Sequence, residues 1–280
     1  MIFLWKAASS NHLEQGNDRP GIVAVFENMK DTITLHVSGS DISDAISGRD
    51  YNRLLQLPRD RELEGELLDR AEKARAWYSR FGNPFVASKR VDVESVTQDS
   101  ILLETGACLH SLVLAQRFVA GQAHALMVLA ASAGTEVAEE VAKHWTEGRP
   151  DEGFFLDRFA VCVTEHLLFW AAATLCRSSE SAQETLLPHL SPGCGHWDLN
   201  DQHKLMSLLT GVEGGATLGP LTMLSSGGLH PQHSVLAVMG VTHQNYGVTP
   251  ESLCRSCDMN PCKFRRAPYS GAALHLLEIR

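Results

Sequence analysis

Three cysteines near the C-terminus form the sharpest chemical motif of the chain. Cys254, Cys257 and Cys262 follow a Cys-x2-Cys-x4-Cys spacing, which brings two thiolates onto one tight turn and a third close enough to join them. Zinc and iron–sulfur clusters both bind thiolates at such spacing. The basic segment 263–266 favours the thiolate forms and offsets the negative charge of a cluster. We therefore expect a metal site here, since three neighbouring free thiols are an oxidation liability.

The metal site needs a fourth ligand from elsewhere in the chain, because structural zinc takes four protein ligands and the tail supplies three. Three further cysteines lie in apolar segments and are expected in the core: Cys108, Cys162 and Cys176. The remaining candidates for the fourth ligand are Cys194, His230, His233 and His243.

A second candidate site is the glycine-containing bend at residues 191–195, Ser-Pro-Gly-Cys-Gly. Gly193 and Gly195 carry no side chain, so a ligand could approach main-chain amides closely. The segment after the bend predicts a helix with Asn200 as its N-cap. A plain connection in front of a helix has the same composition, and the bend alone does not decide between the two readings.

Hydrophobic patterning predicts the elements that must position these residues. Residues 22–26 and 32–37 predict a β-hairpin that turns at 27–31, and residues 38–49 predict a loop. The remaining elements are amphipathic or buried helices at 61–79, 111–118 and 151–175, a helix beginning at a Thr135 cap, and strands at 91–96, 123–131 and 234–240. The run 123–131 is apolar throughout, so it should be a central strand covered on both faces.

Two features of these elements are candidates for ligand binding. The apolar strand ends in Ser132-Ala133-Gly134, and ligands of α/β folds gather where strands end. Glu165 lies in the long apolar helix, where a carboxylate is costly unless it is paired. Its partner is expected to be Arg117, Arg177 or a cationic ligand.

Composition narrows the class of protein. The chain has 280 residues, 44% hydrophobic and 20% charged, and a net charge of −9, which is typical of a soluble globular protein and argues against nucleic-acid binding. We expect no membrane span and no signal peptide. A cytoplasmic location follows as an expectation, and there seven cysteines favour metal binding over disulfides.

The order of these features resembles the activation domain of cobalamin-dependent methionine synthase over roughly residues 68–250. In that family an Arg-x-x-x-Gly-Tyr motif and a proline-flanked turn hold S-adenosylmethionine. On this chain the glycine is Gly193, the arginine position holds His189 and the tyrosine position holds Cys194. The turn at 131–134 matches a family turn, and Glu165 matches a helix glutamate that faces the ligand.

The resemblance implies a single α/β (α+β) domain with a mixed, largely antiparallel sheet and long packed helices. Its expected bounds are residues 60–250, preceded by a small β-rich flank at 1–59 and followed by a Cys-rich tail at 251–280. The expected contacts of S-adenosylmethionine are Ser132, Gly134, Glu165, Glu184, His189, Gly193 and Cys194.

The family's domain brings S-adenosylmethionine to cob(II)alamin while an electron donor reduces the cobalt, and methyl transfer traps the product as methylcobalamin. This chain has no Asp-x-His-x-x-Gly corrinoid motif, so cobalamin is expected on a partner, a corrinoid protein or methyltransferase. The tail would then carry a [4Fe–4S] cluster with Cys194 as fourth ligand, or zinc as the alternative.

A different function remains open. The fold could serve an iron–sulfur or zinc redox or interaction protein that has lost S-adenosylmethionine binding, or a purely structural zinc subunit. The replacement of the arginine by His189 favours this alternative, because histidine cannot reproduce a bidentate clamp on a carboxylate.

Overall fold

The computed structural model describes residues 27–29, 32–57, 62–179, 183–194, 196–244 and Pro268. The helices of this part are α1 (Gly39–Ala45), α2 (Gly48–Leu54), α3 (Gly65–Phe81), α4 (Leu112–Ala120), α5 (Thr135–Thr146), α6 (Pro150–Ser179) and α7 (Asp201–Thr210). The strands are β1 (Glu27–Met29), β2 (Thr32–Leu35), β3 (Phe85–Val96), β4 (Ser100–Leu103), β5 (Cys108–His110), β6 (Ala125–Ser132), β7 (Thr185–Leu186), β8 (Thr217–Leu218), β9 (Leu221–Met223), β10 (Leu229–His230) and β11 (Ser234–Thr242).

Eight of these strands form one sheet, in the order β1-β2-β3-β6-β11-β7, with β4 and β5 continuing from the far half of β3. Every pairing among the described strands is antiparallel. A register shift between Val93 and Ser95 lets β3 pair first with β6 and then with β4. The expected single α/β domain is confirmed.

Strand β6 is the centre of the sheet, as its apolar sequence predicts. All eight of its residues are buried, and it pairs along its full length with β3 and β11. Its side chains alternate between two cores. One core, which we call the α6 face, contains Met127 and Leu129; the other, which we call the α7 face, contains Leu126 and Val128.

Helix α6 fills the α6 face, and Phe159, Val163 and Leu167 of this helix are completely buried. Within α6, Pro150–Cys176 is, by length and composition, long and apolar enough to cross a membrane. Half of the most apolar stretch of this helix is buried inside the protein. Its apolar surface is explained by contact with β6 and with four helices, α1, α2, α3 and α5, which is typical of a core helix.

Residues 32–57 belong to the same sheet and core as the segment that follows. Strand β2 pairs with β3, and side chains of α1 and α2 enter the α6-face core. The loop expected at 38–49 is wrong. Ser38 and Ser47 each accept the backbone N–H three residues on at 3.1 Å, and these N-caps begin α1 and α2.

The N-terminal hairpin is shifted from its expected register. Strand β1 occupies Glu27–Met29, which was predicted as the turn, and pairs with β2; the run 22–26 lies outside the described residues. Thr135 is the first residue of α5 and Gly134 stands at its N-cap without a side-chain bond. Asn200 occupies the N-cap position of α7, also without one.

We expect Tyr78→Phe to lower the free energy of unfolding by about 1–2 kcal/mol. The Tyr78 hydroxyl donates to the Ala133 carbonyl at 2.7 Å inside the protein, so the variant leaves that carbonyl without its partner. Urea unfolding would measure the change. Phe81→Leu, at an exposed position of the same helix, should alter stability by less than about 0.5 kcal/mol, and equal effects of the two variants would contradict the expectation.

Candidate functional site

The bend at 191–194 uses its own amides to hold its shape. Gly193 adopts a φ of 89°, and its N–H donates to the Trp197 carbonyl at 2.8 Å. The Cys194 N–H donates to the Ser191 carbonyl at 3.1 Å. The Gly193 amide was expected to contact the ligand; in the structure it is already bonded within the bend. Gly195 lies outside the described residues.

Trp197 and Asp201 anchor this bend, and neither was expected as part of the site. The Trp197 indole is buried and donates to the Asp201 carboxylate at 2.8 Å. Asp201 also accepts the His110 N–H at 3.0 Å and pairs with Lys204 at 2.8 Å. Trp197 precedes the N-cap of α7, so no helical spacing in the sequence signals this pair.

His189 is held as a neutral ring. It packs edge-on against Phe169 of α6, with ring centroids 5.6 Å apart, and its carbonyl accepts from Arg117 Nη1 at 3.3 Å. Burial, and then the nearby charge of Arg117, lower the pKa of His189 to about 4. At neutral pH this residue is therefore uncharged, and it cannot supply the cation that an arginine would bring to the same position.

Glu165 forms an ion pair with Arg53 of α2. Arg53 was not among the expected partners, Arg117 and Arg177, because it lies in the segment predicted as a separate flank. The side chain of Arg53 is 8% exposed and that of Glu165 is 34% exposed. The carboxylate is thus charge-compensated by the protein while part of it reaches solvent.

The expected pocket spans the edge of the sheet. Glu165 belongs to α6 and therefore to the α6 face, whereas Cys194 packs against the core of the α7 face. Beside β7 the chain runs along the edge of the sheet and is bonded to β11 as far as Leu190. Its side chains enter both cores, Leu186 the first and Leu190 the second. A ligand that touched both Glu165 and the bend would have to lie across this edge.

The turn after β6 is closed by its own hydrogen bonds. The buried Ser132 hydroxyl accepts the Gly134 N–H at 3.1 Å and the Ser234 hydroxyl at 2.9 Å. Gly134 has a φ of 102°, and a Cβ there would lie 2.6 Å from the Asn83 carbonyl oxygen, so glycine is required. The turn was expected to lie near the ligand. The hydrogen bonds described here close the turn without a ligand.

Glu184 lies at the opposite end of β6 from that turn. Its carboxylate is next to His124, which precedes the first residue of the strand, whereas Ser132 is the last. Eight residues of extended chain separate the two ends by roughly 23 Å. One small ligand cannot contact both Glu184 and the 132–134 turn, although both were expected in one site.

The surroundings of Glu184 form a compact polar cluster. Arg90 donates to both carboxylate oxygens, at 2.6 and 3.0 Å, and His124 Nε2 lies 2.9 Å from Oε1. The rings of His124 and His243 stack with centroids 4.6 Å apart. The hydrogen bond from Arg90, with further help from His124, lowers the pKa of Glu184 to about 2, so the carboxylate is ionised. We call His124, Glu184 and His243 the strand-end cluster.

The other histidines considered as metal ligands differ in accessibility. His233 is buried, and its Nε2 lies 2.9 Å from Asp157. Burial alone would raise the pKa of Asp157, but the His233 hydrogen bond and the charges of His233 and Arg158 lower it. His230 is exposed on β10. The motif expected to bind metal, Cys254, Cys257 and Cys262, lies outside the described residues.

Comparison with known proteins shows a similarity of fold to a solved structure. No protein-family model matches the chain, and no curated protein matches it. Among solved structures, the MetH reactivation domain bound to AdoHcy is similar with a TM-score of 0.59 and 14% sequence identity, over 81% of this chain and 82% of that one. At this identity the likeness is one of fold, and the expected fold relationship is confirmed.

We expect His189 to make stability fall as the pH decreases below 6.5. Its pKa drops from 6.5 to about 4 on folding, so the unfolded chain takes up a proton that the folded protein does not, and the native state loses stability between these values, by up to about 2–3 kcal/mol. His189→Phe keeps a ring against Phe169 and should flatten this slope in urea unfolding between about pH 7 and about pH 5.

The exposed His203 provides the control for this prediction, since His203→Phe should leave the slope unchanged. The comparison stays above about pH 5 because Glu184 and Asp157 lose their own contributions only when carboxylates begin to protonate. Identical slopes in the wild type and His189→Phe would show that His189 is not held neutral by the fold.

Proposed function

We propose that the chain is an accessory, or reactivation, protein of a corrinoid-dependent methyl-transfer system and that it binds S-adenosylmethionine. One observation carries this proposal: four-fifths of the chain has the fold of the MetH reactivation domain, whose structure holds AdoHcy. The residue order around Gly193 and Glu165 supports the same function independently of the fold comparison.

The side chains of this site suit the cationic groups of S-adenosylmethionine better than its carboxylate. Glu165 presents a partly exposed carboxylate, which suits the sulfonium and ammonium groups. His189 is neutral, so the ligand's own carboxylate lacks the clamp that the family's arginine provides. The proposed contacts are therefore Glu165, His189 and the bend with Gly193 and Cys194, across the sheet edge.

The other expected contacts, Glu184, Ser132 and Gly134, are not among the proposed contacts of S-adenosylmethionine. Glu184 is already enclosed by Arg90 and His124, and the 132–134 turn lies at the far end of β6. S-adenosylmethionine, when bound, would supply the methyl group, and this chain's contribution would be to orient it. The corrinoid would be carried by a partner protein, and the proposed setting is the cytoplasm.

The tail is proposed to bind a [4Fe–4S] cluster through Cys254, Cys257 and Cys262. Cys194 is the proposed fourth ligand because it is partly exposed beside the bend, whereas His233 is buried and paired with Asp157. A cluster at this place would suit the electron delivery that corrinoid reactivation requires, and zinc is the alternative metal.

A second function is favoured by the way the site residues are paired. Arg53 neutralises Glu165, the Gly193 amide is bonded within its bend, and His189 carries no charge. These features fit an iron–sulfur or zinc redox or interaction protein that keeps the fold and has lost the methyl donor.

Calorimetric titration with S-adenosylmethionine separates the two functions. We expect one ligand bound per chain, and Glu165→Gln should weaken binding at least about tenfold by removing the anion that faces the sulfonium. Glu139→Gln, at an exposed position of α5, is the matched control and should bind normally. Thermal unfolding of each variant checks that the Arg53 contact is not needed for folding.

Decarboxylated S-adenosylmethionine gives a sharper version of the same experiment. Because neutral His189 offers no clamp, removal of the ligand's carboxylate should change the affinity by less than about threefold. No binding of S-adenosylmethionine at millimolar concentration would reject the first function in favour of the second.

The proposed iron–sulfur cluster of the tail is tested by anaerobic purification of the full chain. We expect visible absorbance together with about four iron and four sulfide per chain, both lost in Cys257→Ser and retained in Cys108→Ser. A colourless protein whose zinc disappears in Cys257→Ser would replace the cluster by the zinc alternative and remove the electron-transfer role.

A further inference from the structure

Three potential metal ligands meet where neighbouring strands end. His124 directly precedes β6, Glu184 directly precedes β7, and His243 directly follows β11. The register explains their convergence, because β11 pairs with both β6 and β7 and Val241 is opposite both Ala125 and Leu186. The strand-end cluster is therefore built by the sheet itself.

The donor set is that of a known class of metal site. Two imidazoles and one carboxylate bind zinc in His2Glu sites, where a water molecule takes the fourth position. The ligand atoms of the cluster all lie within 4.8 Å of one another. Zinc bonds of about 2.1 Å imply ligand atoms roughly 3.4 Å apart, so side-chain shifts of about 1 Å would complete the site.

The surroundings orient Glu184 and His243 and leave His124 accessible. The Glu184 side chain is 8% exposed and is fixed by Arg90 at both oxygens. His243 Nδ1 lies 3.4 Å from the Gln183 carbonyl; donation to a backbone carbonyl is how a ligating histidine usually keeps its other nitrogen available. The His124 ring is 36% exposed, so a metal ion can reach the cluster from solvent.

Arg90 competes with a metal ion for the same carboxylate. Its guanidinium neutralises Glu184 directly, and its charge opposes a second cation nearby. The side chain is 40% exposed, however, and its Nε already lies 3.5 Å from Asp92. Arg90 can therefore retain an anionic partner while it gives up part of its contact with Glu184.

We propose that His124, Glu184 and His243 bind one divalent metal ion, for which zinc is the best match. The ion would fasten the two-residue edge strand β7 to the ends of β6 and β11. Segment 183–194, which carries His189 and the Gly193 bend, would be stabilised at its start. This site uses no residue of the cysteine tail and does not depend on binding of S-adenosylmethionine.

The test uses the full chain with Cys254, Cys257 and Cys262 all replaced by Ser, so that the tail contributes no thiolate. After removal of metal with a chelator, zinc is titrated in competition with a chromophoric chelator. We expect one zinc per chain and a rise in the thermal unfolding midpoint, since an ion that binds only the folded protein stabilises it. Cobalt in the same site should show weak visible bands without thiolate charge transfer.

Variants of the ligands give the expected pattern of affinities. His124→Gln and His243→Gln should each weaken zinc binding at least about tenfold, while His203→Gln, at an exposed histidine outside the cluster, should not. Arg90→Gln should strengthen binding, by about tenfold, because it removes the competing cation. A merely structural role of Arg90 would lower stability but would not raise the affinity for zinc.

Three outcomes would overturn the proposal: no zinc bound by the full chain that lacks the three tail cysteines, unchanged affinity in both cluster histidine variants, or weaker binding in Arg90→Gln. Calorimetry with S-adenosylmethionine on the same metal-free and zinc-loaded protein keeps the two proposals apart. A protein that binds the methyl donor but takes up no zinc would reject this site alone. A protein that takes up zinc but does not bind the methyl donor would reject the proposed function alone.

Discussion

Burial of β6 on both faces is the constraint on which the other features depend. A strand whose eight residues are all buried disfavours a charged group or an unpaired polar group on either face of the sheet centre, because such a group is costly there. Polar chemistry is consequently displaced to the ends of the strands and to the sheet edge. The strand-end cluster lies at one end, the Ser132–Gly134 turn at the other, and the bend with His189 lies beside the edge strand β7.

The charged groups at these places are compensated by partners that are distant in sequence. Glu165 pairs with Arg53, Glu184 with Arg90, and Asp157 with His233. Each pair joins segments that are distant in sequence, so each carboxylate helps to hold the layers together. A cationic ligand or metal must share such a carboxylate with the protein, which favours selective binding over strong binding.

Segment 183–194 takes part in both proposals, because it contains Glu184 of the proposed metal site and the His189 and Gly193 positions of the proposed S-adenosylmethionine site. Strand β7 has two residues, and the segment after it remains bonded to β11 through the Leu187 N–H and through a bridge between Leu190 and Val238. His189 and Gly193 therefore follow an edge that the sheet itself holds. The buried Leu186 and Leu190 fix it from opposite sides. A metal ion at Glu184 would add a further attachment, at the point where β7 begins.

The sequence by itself determined the elements whose period or composition is unambiguous. The uniformly apolar run became β6, the long apolar helix became α6, and the order of residues around Gly193 indicated the fold now seen in the comparison. Tertiary structure alone decided the partners. Arg53, Arg90 and His124 are far in sequence from the carboxylates they contact. Strand register, which no local pattern encodes, brings His124, Glu184 and His243 to one end of the sheet. The same register leaves the 132–134 turn at the other end. Helices α1 and α2 were missed because their short polar sequences form helices only against the core that covers them.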